Sequence, residues 1–542
     1  MRRYVFLGMA FLSLLYYSRA FAWEKNLAEN EEDYAIGDNT RNPGYPAPVA
    51  LGDINGDGYC DLILGAPHAT ALGQSDTGIV YIRFGLNFGS EPGQIAEDWF
   101  DLSTSASQSL DPTVSAVNFD DGHARLGGVQ INGELPGCRF GASVATGDFD
   151  GDGTLDIAVS MAQDRAPAGP GRVYVLKGRP DIAGTVDLSL ERSESRSFYI
   201  IGRENGDRFG QTLFFLDFNN DGKDDLIMGA PHSSGGGTVD VFYGRDFTPF
   251  FSQGVDSLPH PHTTFLAEGT SDELGQAFAG GDLTADGLLD LCIGAPGNSD
   301  YAPFSGKTYL LQGTFDLPFQ RGTVDLGATT RTLALISRSD DEKSGSSLAC
   351  GDFNSDGLPD LVIGAPGWGA PESLNRGRVY VLSGDGQRFK VLGSGALEIS
   401  SAELRFSSLE SESRFGTRIA FMNLDNRNGE DLVITAPYKN PSGRTHAGEA
   451  WIIQSRRQGN PFDKWNYHVE WYDLGVYITG QAAGDYMGSG LATGDFNGDN
   501  MRDVFFTGQA GINSSYKSAW GLFGSESYRR TSVPSMLWNL YK

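Results

Sequence analysis

One motif recurs seven times along the chain. A Gly-Asp or Leu-Asp step, or Met-Asn-Leu-Asp in one copy, opens a short acidic loop, and Asp-Leu or a similar pair then leads into an apolar run ending in Gly-Ala-Pro or a variant. Successive loops start 65 to 72 residues apart, after a first interval of 95 residues. Self-similarity of this kind indicates a repeat architecture. The seven loops begin at Asp53, Asp148, Asp217, Asp282, Asp352, Asn423 and Asp495.

Each repeat contains four short strand-like segments. Around the second loop they cover residues 141–148, 156–160, 171–178 and 197–202, and each is apolar or alternating and bounded by Gly, Pro or Asp. No segment has a convincing helical period. Four strands in each of seven units predict an all-β fold, a seven-bladed β-propeller whose blades are four-stranded antiparallel sheets.

The two ends of the repeat array favour a closed ring over an open solenoid. Residues 34–37 resemble a fourth strand that lacks the first three, and the seventh repeat has three clear strands and an uncertain fourth. We therefore expect the N-terminal strand to close the ring, with residues 528–542 as the alternative, because closure removes exposed sheet edges. The predicted propeller covers residues 23–530, with an insertion at 86–128 in the first blade and a tail at 531–542.

Residues 1–22 resemble a secretory signal peptide. Arg2 and Arg3 precede an apolar run, and the sequence Ala20-Phe21-Ala22 has the small-x-small pattern of a cleavage site. The run is too short for a spanning helix, although a membrane anchor is the alternative. No second apolar run of membrane length follows. The sequence therefore predicts a secreted, extracytoplasmic protein without a transmembrane segment.

The charge and the cysteine content exclude further classes. With 69 Asp and Glu against 41 Lys and Arg, the net charge of −28 argues against nucleic acid as a partner, because an acidic surface repels phosphate. Four cysteines cannot hold together a chain of 542 residues. A disulfide between Cys60 and Cys138 is as compatible with the sequence as two free thiols. Cys292 and Cys350 are expected to be small buried residues of inner strands.

The acidic loops have the composition of a divalent-cation site. Five of them carry oxygen-bearing side chains at positions 1, 3, 5 and 9, and Gly or Asn at position 6 suits a turn with positive φ. Several hard oxygens suit Ca²⁺, which takes about 6–8 of them, and Mg²⁺ is the second choice. The predicted ligands, with position 7 offering its carbonyl, are Asp53, Asn55, Asp57, Tyr59 and Asp61; Asp148, Asp150, Asp152, Thr154 and Asp156; Asp217, Asn219, Asp221, Lys223 and Asp225; Asp352, Asn354, Asp356, Leu358 and Asp360; and Asp495, Asn497, Asp499, Met501 and Asp503.

The loops differ from an EF-hand at their ends. An EF-hand has a bidentate Glu at position 12, where these loops are apolar, so the position-9 aspartate is the expected last ligand. Hairpins that bind no metal are the alternative. In the copy that starts at Asn423, Arg427 replaces a carboxylate, and a plain turn is expected. A possible sixth site, with a neutral oxygen at position 3, comprises Asp282, Thr284, Asp286, Leu288 and Asp290.

The combination of Phe-Gly, acidic loop and Gly-Ala-Pro resembles the FG-GAP repeat of integrin α-subunit propellers. The first element is kept at Phe140-Gly141, Phe209-Gly210 and Phe415-Gly416, and the last at Gly65-Ala-Pro67, Gly229-Ala-Pro231, Gly294-Ala-Pro296 and Gly364-Ala-Pro366. Ser344-Gly345 and Met487-Gly488 are among the departures. The resemblance implies Ca²⁺ loops on one face and partner binding on the other. The loops that would contact a partner are residues 68–75, 162–170, 232–236, 298–305 and 367–375.

These features predict a secreted, Ca²⁺-binding, stand-alone propeller for cell adhesion or protein recognition, and not an enzyme. A carbohydrate-binding propeller is the alternative, with Trp368 and Tyr301 as candidate aromatic contacts. A hydrolase is a third possibility, because the family includes the propeller of glycosylphosphatidylinositol-specific phospholipase D. It would require two of His68, His232 and His262 to meet at one pocket.

Overall fold

The structure, a computed structural model, describes residues 48–69, 76–85, 128–161, 170–247, 257–258, 263–313, 322–329, 332–369, 374–384, 386–390, 395–423, 429–455, 465–468, 475–480, 483–508 and 519–522. The predicted signal peptide, the N-terminal closing strand, almost all of the insertion and the C-terminal tail lie outside these residues. So do His262 and Arg427.

Seven antiparallel sheets, numbered here as blades 1 to 7 in chain order, confirm the predicted propeller. The first strands are Val49–Gly52, Phe140–Gly147, Thr212–Leu216, Ala277–Gly281, Ser347–Gly351, Ile419–Met422 and Gly490–Gly494. The second strands are Asp61–Ala66, Asp156–Met161, Asp225–Ala230, Asp290–Ala295, Asp360–Ala365, Asp431–Ala436 and Asp503–Thr507. The third strands are Ile79–Arg83, Arg172–Leu176, Thr238–Phe242, Lys307–Leu311, Arg378–Leu382, Glu449–Ile453 and Ala519–Leu522. The fourth strands, described in blades 1 to 6, are Gly128–Asn132, Ser197–Ile201, Thr263–Leu266, Thr332–Ile336, Leu404–Ser407 and Gly475–Thr479.

Five blades carry a fifth strand that the four-strand prediction did not include. It comes from the connection between the third and fourth strands of the following blade, and it pairs in parallel with the fourth strand of the preceding one. Those that can be assessed are mostly exposed, so they lack the apolar alternation by which the other strands were predicted. These strands are Gly184–Val186, Ser257–Leu258, Gly322–Asp325, Gly395–Glu398 and Trp465–His468.

Helical structure in the described residues is limited to short segments. The α-helix Leu188–Ser193 begins where Asp187 caps it, because the Asp187 carboxylate accepts a hydrogen bond of 2.8 Å from the Ser189 amide. Two 3₁₀ turns cover Ile399–Ser401 and Pro441–Gly443. None of these helices is long or apolar enough to cross a membrane.

The second strands form the buried middle layer of the ring. Every residue in all seven of them is buried, because neighbouring blades cover both faces of the sheet. The first strand of each blade contacts that of the next, and contact between Gly490–Gly494 and Val49–Gly52 completes the circle. Blades 7 and 1 are also joined by a hydrogen bond of 3.0 Å from the Cys60 amide to the Asp495 carbonyl. The ring thus closes through direct contact between its first and last blades.

The two glycines of the sequence motif meet where blades pack together. A β-carbon on Gly294, in the Gly-Ala-Pro of blade 4, would lie 2.0 Å from the carbonyl oxygen of Gly345, which precedes the first strand of blade 5. Gly345 has a φ of 85°, in the left-handed region that favours glycine. Only glycine therefore fits both positions without moving the blades apart. The same close approach joins Gly65 to Gly141, Gly229 to Gly275 and Gly364 to Gly416.

The cysteines are free, so the possible disulfide between Cys60 and Cys138 is not formed. Cys60 stands at the acidic-loop end of the second strand of blade 1. The thiol of Cys138 lies at the other end of the blade, where it donates a hydrogen bond of 3.1 Å to the Thr77 carbonyl. Cys292 is buried as expected, whereas Cys350 is only half-buried.

Candidate metal-binding loops

All acidic loops connect a first strand to a second strand, so they lie on one face of the ring. Each of the six loops that the structure describes in full turns sharply at position 6, where glycine has a φ between 85° and 91° in five copies and Asn500 has a φ of 65°. The space around those five glycines is open, so the backbone conformation alone explains the residue type. The backbone at position 4 also has a positive φ, which the sequence does not predict. Its residues are Gly56, Gly151, Asn220, Ala285, Ser355 and Gly498.

The position-1 aspartate organises the backbone of each loop. In blade 1, Asp53 Oδ1 accepts a hydrogen bond of 3.1 Å from the Asp57 amide, and Asp53 Oδ2 accepts one of 2.8 Å from the Gly58 amide. Equivalent pairs of bonds hold the loops of blades 2, 3, 4, 5 and 7. The position-5 aspartate in turn accepts from the position-7 amide. Positions 1, 5, 6 and 7 thus share one arrangement in each of these six loops.

The position-9 aspartate is buried in every blade and joins two parts of it. In blade 2, Asp156 accepts hydrogen bonds of 3.0 Å from the Phe149 amide and 2.8 Å from the Gly178 amide, which follows the third strand. The same pair of bonds recurs in blades 1, 3, 4 and 5, the Thr284 amide of the position-3 residue being the donor in blade 4. Because a carboxylate oxygen has more than one lone pair, these bonds still allow contact with a cation. The sequence predicts a metal ligand at position 9 but does not reveal that this residue also links the loop to the end of the third strand.

Burial makes ionisation of these carboxyl groups unfavourable. It raises the pKa of Asp61 and of Asp360 to about 7, that of Asp156 and of Asp225 to about 8, and that of Asp290 to about 6. Neighbouring loop carboxylates such as Asp57 raise it further. A cation among these oxygens would favour the ionised forms and remove the repulsion.

Blade 2 has the clearest cation-binding geometry among the described residues. Carboxylate oxygens of Asp148, Asp150 and Asp156 all lie within 4.8 Å of one another. Asp150 is only 8% exposed, and its Oδ1 atom has no hydrogen-bond partner. A buried, unpartnered carboxylate oxygen is costly unless a cation contacts it. These three residues and Asp152 fit a hard divalent cation such as Ca²⁺.

The position-3 side chain makes one of three different contacts in the five good loops. In blades 1, 3 and 7 the Asn side chain donates from Nδ2 to Oδ2 of the position-5 aspartate, at 3.0 to 3.2 Å. In blade 5 the Asn354 Nδ2 instead donates to the Ser383 hydroxyl at 3.0 Å. In blade 2, where position 3 is Asp150, the Lys177 ammonium contacts Asp150 and lies 2.8 Å from Asp152 Oδ2.

The two imperfect copies differ from each other. In blade 4, Thr284 is buried and its hydroxyl has no partner, so its oxygen is available to a cation. In blade 6, residues 424–428 lie outside the described part of the chain. The position-9 residue Asp431 is nevertheless buried and accepts a hydrogen bond of 2.8 Å from the Ser455 amide.

The opposite face carries aromatic side chains paired with cations. The Arg378 guanidinium lies 3.4 Å from the ring centre of Trp368, and that of Arg414 lies 4.2 Å from the ring centre of Tyr438. The Tyr301 ring, 41% exposed, lies near Arg338 and Lys307.

The histidines proposed for a hydrolase do not come together in the described residues. His68 lies in blade 1, with its Nδ1 3.3 Å from Asp76, while His232 lies in blade 3, and blade 2 separates them. Burial lowers the pKa of His232. This arrangement offers no shared nucleophile-activating pair.

Comparison with known proteins agrees with the repeat pattern. The FG-GAP repeat family matches residues 49–82, 140–176, 209–242 and 344–382, which cover the first three strands of blades 1, 2, 3 and 5. Phosphatidylinositol-glycan-specific phospholipase D of Rattus norvegicus is 33% identical over 180 residues, or 32% of this chain and 20% of that protein. Integrin alpha pat-2 of Caenorhabditis briggsae is 29% identical over 238 residues, or 42% of this chain and 18% of that protein.

The matched region spans about a fifth of the length of those two relatives. Among solved structures, an exotype rhamnogalacturonan lyase aligns over 91% of this chain and 76% of its own, with 14% identity and a TM-score of 0.36. That similarity is weak. The chain thus carries FG-GAP repeats in four blades, and its seven sheets form a β-propeller.

Proposed function

We propose that this propeller binds Ca²⁺ in its acidic loops and recognises an extracellular partner on the opposite face. The observation that carries the first part is the loop geometry of blade 2, where oxygens of Asp148, Asp150 and Asp156 lie within 4.8 Å of one another and the buried Asp150 Oδ1 has no hydrogen-bond partner. The same backbone framework recurs in blades 1, 3, 5 and 7, and blade 4 differs by Thr284. Five sites are expected, with a sixth at the Asp282 loop.

Calcium has an indirect role in this proposal. The loops place several carboxylates close together, and a divalent cation would offset their repulsion and stiffen one face of the ring. The chain's own residues supply the oxygens and the left-handed turns. The bound ion would supply positive charge.

Titration of Ca²⁺ into EDTA-treated protein by calorimetry, with thermal midpoints measured in parallel, tests this part. We expect binding at five or six sites and a higher midpoint in Ca²⁺. An unchanged midpoint together with no binding heat would reject it.

Recognition of a partner is supported by apolar side chains that the opposite face exposes. Tyr301 and Phe304 project from the loop between the second and third strands of blade 4, and Leu374 from that of blade 5. Leu409 follows the fourth strand of blade 5 and is also exposed. Exposed apolar residues on the same face of two neighbouring blades favour interaction with another molecule. We propose a protein ligand in an adhesive or recognition role.

A carbohydrate is the second candidate ligand, because Tyr301 and Trp368 are aromatic rings accompanied by polar and cationic groups. Binding to purified extracellular-matrix proteins and to a glycan array, each with Ca²⁺ and with EDTA, distinguishes the two. The variant Tyr301→Ala/Leu374→Ala should weaken binding without changing the thermal midpoint. If the protein binds glycans and no matrix protein, and this variant weakens the glycan binding, the carbohydrate hypothesis is favoured.

A further inference from the structure

The loop of blade 2 differs from the other good loops at two places that touch each other. Its position 3 is Asp150, whereas blades 1, 3, 5 and 7 have Asn. Its third strand is followed by Lys177, which directly precedes the residue whose amide binds the position-9 aspartate. The residues at the place of Lys177 in the other blades with this bond are Phe84, Tyr243, Gln312, Ser383 and Gln454.

In blade 2 the Lys177 ammonium makes the contact to the position-5 aspartate that the Asn side-chain amide makes in blades 1, 3 and 7. In blade 1, Asn55 Nδ2 donates to Asp57 Oδ2 at 3.0 Å and holds that carboxylate in the loop. An aspartate side chain at position 3 has no N–H group to donate. Without a cation, the carboxylates at positions 3 and 5 would therefore repel each other. The Lys177 ammonium contacts the Oδ2 atoms of Asp150 and Asp152, and the latter distance is 2.8 Å.

This contact leaves the second oxygen of Asp150 for a ligand. Asp150 Oδ1 is buried and unpartnered, and one carboxylate oxygen of Asp150 lies within 4.8 Å of oxygens of Asp148 and Asp156. The four aspartates and Lys177 together carry a net charge of −3, the same as the three aspartates of a loop with Asn at position 3. The exchange of Asn for Asp is thus matched by a new cation.

We infer that Lys177 is a positioning residue that sets the Ca²⁺ affinity of the blade 2 loop. It holds the Asp150 and Asp152 carboxylates through their Oδ2 atoms, and its positive charge limits how tightly a second cation is held there. This inference rests on the proposed Ca²⁺ binding. Blade 2 should consequently be the good loop that depends least on metal for its folded conformation.

Substitutions at both positions test the inference. Lys177→Met should tighten Ca²⁺ binding at blade 2 by about tenfold or more, because a positive charge beside the site is removed. Asp150→Asn alone should weaken it by a similar factor. The double variant Lys177→Met/Asp150→Asn recreates the Asn type of loop, so its affinity should return to within about threefold of the unmodified protein.

The readout must resolve individual loops. Crystals of the full chain equilibrated at graded Ca²⁺ concentrations, measured by long-wavelength anomalous scattering, give the occupancy of each loop. Calorimetric titration of Ca²⁺ in solution gives the overall affinities. Lys343→Met is the matched control, since it removes the same charge from an exposed residue on the opposite face and should leave all loops unchanged.

Lys177→Arg keeps the charge and should keep the affinity within about threefold, which guards against loss of folding in the Met variant. Equal filling of blade 2 in the unmodified protein and in Lys177→Met would overturn the inference, as would weaker binding in that variant. If the other loops bind Ca²⁺ while this pattern is missing, only the role of Lys177 fails. If no loop binds Ca²⁺, the proposed function fails with it.

Discussion

The loops of blades 3 and 6 show which part of the acidic motif serves the fold. Blade 3 keeps Asp217, Asn219 and Asp221, whereas blade 6 has Asn423 and Arg427 at positions 1 and 5. Both blades nevertheless bury the position-9 aspartate. Asp225 accepts a hydrogen bond of 2.8 Å from the Gly244 amide, and Asp431 accepts one of 2.8 Å from the Ser455 amide.

This difference indicates that the motif combines two separable roles, one in the fold of the blade and one in the proposed binding of metal. Position 9 joins the loop to the end of the third strand, and a blade needs this bond whether or not it binds metal. Positions 1 and 5 can change without loss of the blade, as blade 6 shows. Variants and pH can separate the two roles, and loss of position 9 should have the greatest effect.

Loss of the position-9 carboxylate should destabilise both kinds of blade. Asp225→Ala and Asp431→Ala should each lower the free energy of unfolding by about 2–5 kcal/mol, because buried backbone N–H groups lose their acceptor. Denaturant titrations in EDTA and in Ca²⁺ measure this. Asp181→Ala, at an exposed ion pair with Arg179, is the control and should change little. A loss seen for Asp225→Ala only in Ca²⁺ would contradict the separation.

The pH dependence should distinguish protein with and without metal. A carboxyl group whose folded-state pKa is raised keeps its proton in the folded chain at pH values where the unfolded chain has lost it. The free energy of unfolding in EDTA should therefore fall as pH rises from about 5 through the folded-state pKa values of about 6 to 8, by about 1 kcal/mol per pH unit or more.

Calcium should flatten this dependence, because it takes the place of the proton among the same oxygens. Thermal midpoints between pH 5.5 and 8.5, in EDTA and in Ca²⁺, provide the measurement. A midpoint in EDTA that rises with pH across this range would show that the position-9 carboxyl groups titrate in the opposite sense.

Loss of a position-5 carboxylate should matter only when metal is present. In the structure the Leu358 amide donates a hydrogen bond of 2.9 Å to Asp356 Oδ1. Asp356→Asn keeps an oxygen that can accept this bond and removes one negative charge. We expect almost no change in EDTA and a loss of about 1–2 kcal/mol of the stabilisation by saturating Ca²⁺. Urea titrations at matched Ca²⁺ concentrations measure it. An equal loss in both conditions would make position 5 structural.

Restoring carboxylates in blade 6 should have the smallest effect on stability. The variant Asn423→Asp/Arg427→Asp recreates the ligand pattern on a loop that already has Asp431. One additional Ca²⁺ should bind, with a rise in thermal midpoint that is seen only in Ca²⁺. Metal content after dialysis against dilute Ca²⁺ counts the sites, and an unchanged count would show that residues beyond positions 1 and 5 determine binding.

The sequence was sufficient for the repeat and the blade count because both depend on local patterns. Apolar runs such as Asp360–Ala365 are second strands covered on both faces, and the Gly-Ala-Pro glycines fit contacts between blades. The fifth strands escaped prediction since their residues are exposed and gain their partner only in the folded ring. The same limit applies to the disulfide: Cys60 and Cys138 stand in adjacent units of sequence but at opposite ends of one blade.

At the candidate site, the sequence predicts which residues would face a cation and not what else they contact. Position 6 was predictable because positive φ has a clear residue preference, whereas position 4 tolerates Ala285 and Ser355. The dual role of position 9 depends on an amide at the end of the third strand. Lys177 lies 27 residues beyond Asp150, with a whole strand pair between them, so only the fold reveals their contact.

Because each fifth strand comes from the following blade, the order of synthesis on the ribosome affects when a blade's outer edge is covered. The outer edge of blade 1 at Gly128–Asn132 is covered by Gly184–Val186, which belongs to the connection inside blade 2. A blade therefore leaves the exit tunnel before the segment that covers its edge, and each covering segment arrives with the next blade. Folding from the N-terminus should advance one blade behind translation, and an interruption between blades should leave an unpaired edge open to aggregation.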